Sequence, residues 1–394
     1  MRRYLVLAAA VLVQVCLGGI YAWSALAEAL QQELGYSARQ TQLTFGTVFL
    51  TFTTAVLVTG RLQDRYGPRP LVAVSGLLLM AGYGLAHSSS SFPLLWAGVG
   101  LLGGLAIACG YISTIAAAAG WFPRHRGAAT GAVVAGYGSG AIAASQLIAH
   151  LRAQGVAARD LLLLLGSGYG LVILLGSVAV VAAPRTAGRV SRPSLRVRTL
   201  VRDPRLQQMF LAFLLGNLPG LMVLGSLKSI ALTRGLPEAV AVAAISAAAL
   251  GNMAGRLLWG AASDRLGYHR SAVASLLFIA AAQAGFAAAG SGSPGFLGLT
   301  FAVGFGFGSC LVLHAAQVGR IWGAERFGSA YPPVMLAHGL GALAGPYAAG
   351  WSFDATGSYG PALAAAVASV VAALAVYGLL RPAAARAQGE PGGR

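Results

Sequence analysis

Charged side chains are scarce in this sequence, and acidic ones are the scarcest. Of 394 residues only 9% are charged, and the 27 Lys and Arg outnumber the 10 Asp and Glu. A soluble domain carries about a quarter charged residues, whereas long apolar runs recur along this whole chain. These features exclude an ordinary soluble domain and predict a multi-pass protein whose partner is the lipid bilayer.

Motifs for nucleotide binding, hydrolysis and metal binding are also missing. The sequence contains no Walker A loop, no H-E-x-x-H and no G-x-S-x-G, and its glycine-rich stretches lack the strand–turn–helix setting of a nucleotide loop. The three cysteines, Cys16, Cys109 and Cys310, lie within apolar runs and are interpreted as small buried hydrophobes. We therefore expect no enzyme activity, no ATP-driven transport, no cofactor and no metal.

The basic residues lie in short clusters between the apolar runs. With the N-terminus placed inside, 21 of the Lys and Arg fall on the inner side, five on the outer side, and Arg256 lies within a span. Under the positive-inside rule this asymmetry predicts cytoplasmic termini, in the cell inner membrane. Short clusters without interleaved aromatic residues do not form a basic groove, so nucleic acid is not an expected partner.

Short polar stretches divide the chain into twelve apolar segments, each close to the roughly 20 residues that a helix needs to cross the bilayer. The first is too long for a signal-peptide core and no cleavage site follows it, so it is interpreted as a membrane helix. The predicted spans are 4–27, 41–60, 71–88, 92–118, 127–150, 160–183, 207–231, 238–260, 270–290, 294–318, 329–352 and 360–380. The predicted fold class is an all-α membrane protein.

The longest polar interruption divides the spans into two groups of six. We predict an N-terminal six-helix bundle at 1–183, a cytoplasmic linker at 184–206, and a C-terminal six-helix bundle with a short tail at 207–394. The two halves share a motif, GRLQDRYGPR from Gly60 and GAASDRLGYHR from Gly260. Repetition at this offset indicates a duplicated unit, which is common among secondary transporters.

The repeated motif G-x-x-x-D-R-x-G resembles the signature motif of the major facilitator superfamily, a twelve-helix fold of two pseudo-symmetric bundles. The resemblance implies that the motif stabilises one gating state on the cytoplasmic side, and glycine there permits close helix packing. The residues to which it assigns this role are Gly60, Asp64, Arg65 and Gly67, with their copies Gly260, Asp264, Arg265 and Gly267. The alternative is a turn motif with no part in gating.

Two further stretches, GGIYAWSAL in helix one and WFPRHRGAATG before helix five, resemble the oxalate/formate antiporter branch and the related monocarboxylate transporters. The resemblance places Arg256 and His338 where the antiporter has its two substrate-binding cations. It also assigns cavity positions to Tyr21, Tyr111, Tyr137, Phe307 and Met335. For any single aromatic residue among these, ordinary helix packing is the alternative.

The sequence departs from those relatives at specific positions. The antiporter's second cation is a lysine, whereas this chain has His338. Animal monocarboxylate carriers have an aspartate one turn before the arginine, whereas this chain has Asn252, and their helix-one lysine is absent. These departures argue against a strict dicarboxylate exchanger and against an animal-type proton relay.

Arg256 also stands out without any resemblance. An arginine inside a membrane span costs at least about 2.5–3.5 kcal/mol, so such residues face a cavity or a partner. In helices two to twelve, no carboxylate lies at a depth where it could neutralise this charge. A guanidinium binds a carboxylate through two parallel hydrogen bonds, which predicts an anionic ligand. The alternative is that Arg256 extends to the membrane interface.

Two histidines offer a variable charge. His338 lies near the middle of its span, and histidine changes charge near neutral pH, so it could bind the substrate carboxylate or carry a proton with it. The alternative is a neutral histidine hydrogen-bonded between helices. His314 in helix ten has a weaker claim to the proton-coupling role.

Together these features predict a secondary active transporter of a small organic monocarboxylate, of the lactate, pyruvate or formate type. We expect proton coupling and alternating access about a mid-membrane site, with a small carboxylate anion and a proton as partners and the monomer as the functional unit. Two alternatives stay open, an oxalate/formate-type exchanger for dicarboxylates and a non-transporting membrane sensor.

Overall fold

The computed structural model describes residues 2–88, 90–183, 200, 202–288, 292–323 and 327–379. Within these ranges the chain is helical and contains no strand. Most of the predicted linker 184–206, and the tail after residue 379, lie outside the described residues.

Twelve helices of membrane-spanning length run through the described ranges. Eleven are also apolar enough by composition to cross a bilayer; the twelfth, α11, has 30 residues but contains three prolines and His338. The helices are α1 (Arg2–Leu34), α2 (Ala38–Tyr66), α3 (Pro68–His87), α4 (Phe92–Trp121), α5 (Arg126–Ala153), α6 (Ala158–Ala179), α7 (Pro204–Thr233), α8 (Glu238–Leu266), α9 (Tyr268–Ala288), α10 (Ser293–Trp322), α11 (Phe327–Thr356) and α12 (Gly360–Leu379). The predicted all-α, twelve-span fold class is confirmed.

Two of these helices contain an irregular segment. In α1 a 3₁₀ turn at Gly19–Ala22 separates two α-helical segments, and α4 contains a π-helical segment at Trp96–Gly103. Glycines in both segments lower the stability of a regular α-helix, and such irregular turns often mark functional regions. The turn in α1 carries Tyr21.

Both copies of the repeated motif adopt the same local structure. α2 and α8 extend several residues past the predicted spans, so Asp64 and Asp264 lie in the last turn of a helix instead of in a loop. Gly67 and Gly267 end these helices with φ of 82° and 80°, a left-handed conformation that favours glycine. The matching geometry agrees with a duplicated structural unit.

The first six helices meet the last six mainly along three helix pairs, α2 with α11, α5 with α8, and α1 with α7. Glycine allows the closest approach, since a Cβ at Gly46 on α2 would lie 2.6 Å from the backbone oxygen of Ala342 on α11. These three pairs surround the centre of the molecule, where the predicted site residues are found.

Polar contacts close one end of this inter-half seam. We call it the distal end; it contains Leu34 and Thr356, opposite the end that contains Arg2 and Tyr66. The Asp354 carboxylate of α11 accepts hydrogen bonds from the backbone N–H of Ala38 (3.0 Å) and Arg39 (2.9 Å) at the start of α2. Negative charge at a helix N-terminus is stabilising, so Asp354 fastens α2 to α11.

Candidate functional site

Arg256 lies in the interior, on the side of α8 that carries Asn252 one turn earlier. Its Nε donates a hydrogen bond of 2.8 Å to Oδ1 of Asn252, and the residue is 9% exposed. One terminal nitrogen, Nη2, is buried with no hydrogen-bond partner among the described residues. A buried guanidinium nitrogen without an acceptor is costly, so this edge of Arg256 is suited to an anion.

Three tyrosines from three helices stand around this charge. The ring of Tyr137 on α5 meets the rings of Tyr21 on α1 and Tyr111 on α4 edge to face, both at 5.4 Å between centroids. Arg256 interacts electrostatically with all three hydroxyls, and the Tyr21 hydroxyl is within its hydrogen-bonding reach. The Tyr137 hydroxyl is buried without a partner in the described part of the chain. The structure therefore gathers the predicted tyrosines around one cation.

His338 lies on the opposite wall, in α11, and is 1% exposed. Its Nδ1 is 3.0 Å from Oδ1 of Asn217 on α7, and Nδ2 of Asn217 donates to the His338 backbone oxygen at 3.4 Å. Its ring meets Phe49 of α2 edge to face at 5.5 Å, and it lies nearly parallel to Phe307 at 6.3 Å. The imidazole thus faces aromatic rings, and it interacts with the charge of Arg256 across the interior.

Phe307 and Met335, the other two predicted cavity residues, are both buried. Phe307 on α10 touches the tyrosine group, with 6.2 Å between its centroid and that of Tyr21. Gly220 on α7 makes room for it, because a Cβ there would lie 2.6 Å from the Phe307 ring. Met335 lies one helical turn before His338 on the same side of α11.

His314 is held apart from this group by its own contacts. Its Nδ1 is 2.7 Å from the Cys310 backbone oxygen one turn earlier, and its Nε2 is 3.5 Å from the Tyr377 hydroxyl of α12. The ring stacks on Phe213 at 4.3 Å, and Phe213 in turn stacks on His338 at 5.9 Å. His314 is therefore separated from His338 by one aromatic ring.

The predicted gating residues lie at the end opposite the distal contacts. Asp64, Arg65, Asp264 and Arg265 are exposed there, and no described atom outside the local turn of α2 lies within 4 Å of a Cβ built on Gly60. In the second copy, Arg320 of α10 approaches Asp264 at 3.5 Å. The first copy of the motif therefore does not pack closely through Gly60 in this conformation.

Several residues of the central group were not predicted from the sequence. Phe49 and Phe52 on α2, spaced one turn apart, pack against His338 and Tyr111 respectively. Tyr331, one turn before Met335, lies near Tyr111 and interacts electrostatically with Arg256. The repeat of Phe at 45, 49 and 52 was a usable signal, since these positions share a helix face. A mid-span amide, Asn217, was another.

A second buried cation lies in the same half of the molecule. Lys228, one of the five basic residues counted on the outer side, lies within α7 and is 3% exposed. Its Nζ contacts Glu28 of α1 at 2.9 Å and Glu238 of α8 at 2.8 Å. The charge is therefore satisfied within the protein, in contrast to that of Arg256.

The remaining side chains offer little to a metal. Within the described ranges, no group of three His, Cys, Asp or Glu residues could hold a metal ion. The central group instead combines one cation, one imidazole and several hydroxyls inside an aromatic wall, an arrangement suited to a small anion.

The Major Facilitator Superfamily model matches residues 8–331 and 209–394. The chain belongs to this superfamily. This major facilitator has the fold of solved transporters at low sequence identity: its TM-score is 0.78 against the nucleoside transporter NupG, at 12% identity over 97% of this chain and 99% of that one.

Among curated relatives, this major facilitator is 26% identical to the uncharacterized MFS-type transporter YhjX of Escherichia coli, over 86% of each chain. It is 27% identical to the oxalate:formate antiporter of Oxalobacter formigenes, over 68% of this chain and 65% of the antiporter. It is 26% identical to monocarboxylate transporter 13 of Bos taurus, over 76% of this chain and 70% of the carrier. The resemblance to these branches is confirmed.

Membership of the superfamily establishes the general class. The major facilitator is a multi-pass membrane transporter and not an enzyme. The relatives named for carboxylates are similar only at low identity, so the substrate has to be inferred from the site.

Proposed function

We propose that this major facilitator is a proton-coupled secondary transporter of a small organic monocarboxylate, of the lactate, pyruvate or formate type. The observation that carries the proposal is the buried Nη2 of Arg256, which has no hydrogen-bond partner among the described residues. Within the described ranges no carboxylate forms an ion pair with this guanidinium. The substrate carboxylate supplies the missing acceptor and the missing negative charge.

The polar groups around Arg256 set the expected charge of the substrate. Arg256 carries one fixed positive charge, and Asn252 leaves that charge intact because its amide oxygen accepts a hydrogen bond without carrying a charge. The hydroxyls of Tyr21, Tyr111 and Tyr137 can donate to a carboxylate while their rings exclude water. One fixed cation matches one carboxylate, and protonation of His338 adds a second positive charge that accompanies a proton.

The transport cycle follows from the two-bundle architecture. The bundles at 1–183 and 207–394, joined by the linker at 184–206, rock about the central site so that it opens to one side at a time. With both termini in the cytoplasm of the cell inner membrane, the distal end is the outer side, and its closure means that this conformation is not open to the outside. Gly60, Asp64 and Arg65, with Asp264 and Arg265, close the cytoplasmic side in the other state. The functional unit is the monomer.

Substitution of the arginine by lysine tests the proposal. In proteoliposomes, we expect Arg256→Lys to reduce radiolabelled lactate uptake at least about tenfold, because lysine keeps the charge but cannot form two parallel hydrogen bonds. Arg270→Lys, at an exposed position of α9, is the matched control and should transport like the parent. Lysine-variant uptake equal to that of the parent, with pyruvate and formate tested alongside, would overturn the role of Arg256.

Exchange of dicarboxylates is the second candidate, favoured by the match to an oxalate:formate antiporter. When His338 is protonated, the site holds two positive charges and fits a dianion. Proteoliposomes loaded with oxalate separate the two functions. An exchanger accelerates uptake of labelled formate from the trans side without a pH gradient, whereas the proposed symporter accumulates lactate when the outside is acidified.

A further inference from the structure

Asn217 makes two hydrogen bonds to a single residue of a neighbouring helix. It lies on α7, fully buried, and both atoms of its amide face His338 on α11. It was not predicted as a site residue, and it does not touch Arg256 in any contact described above. Because both hydrogen bonds of this buried amide go to one histidine, we infer that Asn217 acts through that histidine.

These two hydrogen bonds fix the protonation pattern of the imidazole. The His338 backbone oxygen can only accept, so the group facing it at 3.4 Å is the Nδ2 amide nitrogen of Asn217. The oxygen Oδ1 of the same amide then faces Nδ1 of His338 at 3.0 Å. Since Oδ1 only accepts, Nδ1 carries the hydrogen and the lone pair of the neutral ring is on Nε2.

The surroundings of the ring leave Nε2 as the reactive nitrogen. The elements packed around His338 present Phe49 from α2, Phe213 from α7 and Phe307 from α10. The charged group that acts on it is Arg256 from α8. The titratable rings beyond these phenylalanines are His314, which packs on Phe213, and Tyr21, which packs on Phe49 and Phe307.

We propose that Asn217 is a positioning residue that holds His338 as the Nδ1–H tautomer, so that Nε2 takes the transported proton and meets the substrate carboxylate. This inference rests on the proposed proton-coupled function. A proton from water on one side binds the Nε2 lone pair and gives an imidazolium with an N–H on each nitrogen. The same proton leaves Nε2 to water on the other side, while the Nδ1–H bond to Asn217 persists throughout.

The charge on the His338 Nδ1–H donor determines in which direction the Asn217 variants shift the pH dependence of uptake. A hydrogen bond from a charged N–H is stronger than one from a neutral N–H, so Asn217 favours protonated His338. Asn217→Leu removes the acceptor, and we expect the pH of half-maximal uptake to fall by about one unit. Asn217→Asp places a negative charge on the same nitrogen, and we expect that pH to rise by about 1–3 units.

The transport experiment compares these variants across pH in proteoliposomes with a fixed internal pH and labelled lactate as the probe. Gln283→Leu is the matched control, because it removes another fully buried amide, on α9, that forms no hydrogen bond to any described residue. Its profile should coincide with that of the parent. Shifts of opposite sign in the Leu and Asp variants support the inference, and coincident profiles for all variants contradict it.

Nitrogen NMR of the histidine rings in lipid nanodiscs tests the tautomer without transport. The chain has six histidines, so the His338 signals are assigned by their loss in His338→Gln. We expect Nδ1–H in the parent and a mixture of tautomers in Asn217→Leu. If that variant does not fold, the isosteric Asn217→Asp should keep Nδ1–H, and the parent spectrum carries the test. An Nε2–H tautomer in the parent overturns the inference.

The two levels of the proposal fail in distinguishable ways. If His338→Gln abolishes the pH dependence of uptake while the Asn217 variants leave it unshifted, the positioning role is wrong and the proton-coupled function stands. If His338→Gln leaves the pH profile unchanged, His338 does not carry the proton and the inference about Asn217 is wrong with it; the proton-coupled function itself is wrong if the parent shows no acid-driven accumulation.

Discussion

At the residue scale, the site depends on the side chain at position 252, which lies beside Arg256 and is an uncharged asparagine. Asn252 accepts the Nε hydrogen bond of Arg256 and leaves its charge unneutralised. A carboxylate in that place would satisfy the guanidinium within the protein, as Glu28 and Glu238 satisfy Lys228. The contrast between these two buried cations is the basis for proposing Arg256 as a binding group and Lys228 as a structural one.

Asn252→Asp should therefore weaken substrate binding. The new carboxylate neutralises Arg256 and competes with the substrate for the same donors, so we expect the KM for lactate to rise at least about tenfold. Asn252→Ala removes the same hydrogen bond without adding charge and should change KM much less. The measurement is initial uptake rate against lactate concentration in proteoliposomes, and similar KM values for the two variants would contradict the explanation.

His338→Gln should remove the pH dependence of uptake. Glutamine keeps polar atoms near Asn217 but cannot change charge between pH 5 and 8. We expect uptake against pH to become flat and acid-driven accumulation to be lost, while exchange between labelled and unlabelled lactate continues. His314→Gln serves as the comparison, because His314 lies behind Phe213. A steep pH profile in the His338 variant would remove this residue from proton coupling.

The sequence revealed the central residues that carry unusual chemistry in an apolar span, such as Arg256 and His338. It did not reveal Phe49 or Phe213, because a phenylalanine in a membrane helix looks the same whether it faces lipid, a neighbouring helix or a cavity. Nor did it reveal that Lys228 pairs with Glu28, because Glu28 lies 200 residues away in the sequence. Such pairs become visible only when the helices are placed in space.

At the scale of elements, polar residues made the helices seem shorter than they are. The spans were ended at residues 60 and 260, where apolar character stops, yet α2 and α8 continue to Tyr66 and Leu266. A helix that leaves the hydrocarbon keeps its own hydrogen bonds in water, and the true stop is the glycine with positive φ at 67 and 267. Hydropathy reports the membrane boundary, whereas glycine reports the helix boundary.

Replacing glycine by alanine should change thermal stability in opposite directions at a tightly packed position and at an open one. Gly46→Ala on α2 should lower the melting temperature, because the new Cβ would lie 2.6 Å from the Ala342 oxygen of α11 and force the backbones apart. Gly84→Ala on α3 has open space around its Cβ within the described structure and should stabilise by about 0.5–1 kcal/mol through helix propensity. Thermal unfolding in detergent compares the two; a Gly46 variant as stable as the Gly84 variant would contradict the close packing.

At the scale of the whole molecule, the twelve-helix fold and the duplication could be predicted because both rest on local hydropathy and on direct repetition of a motif. The relative position of the halves could not, because a transporter that alternates between states has no single arrangement for the sequence to specify. The distal contacts that define this conformation join residues far apart in the chain, such as Gln42, whose Nε2 donates to the Gly225 oxygen at 2.7 Å.

The ion pair of Lys228 is a charged contact that helps to keep the distal end closed. It joins α7 to Glu28 of α1, on the other half of the molecule. Removing one partner of a buried ion pair costs about 3–5 kcal/mol because the other charge stays buried and unpaired. In Lys228→Met, Glu28 can avoid this cost by taking up a proton or by reaching water, and the second route requires the distal ends of α1 and α7 to separate. The variant should therefore shift the population towards a distal-open state.

A reporter thiol measures this shift. Gln42→Cys places a thiol at a 1% exposed position of the distal seam, and the three native cysteines are buried. We expect maleimide to label this thiol severalfold faster in the Lys228→Met background than with Lys228 intact. Lys228→Arg keeps the ion pair and should label as slowly as the parent. Equal labelling rates in all three backgrounds would show that the buried ion pair does not hold the distal end closed, and that Asp354 and the helix packing of α2 against α11 suffice.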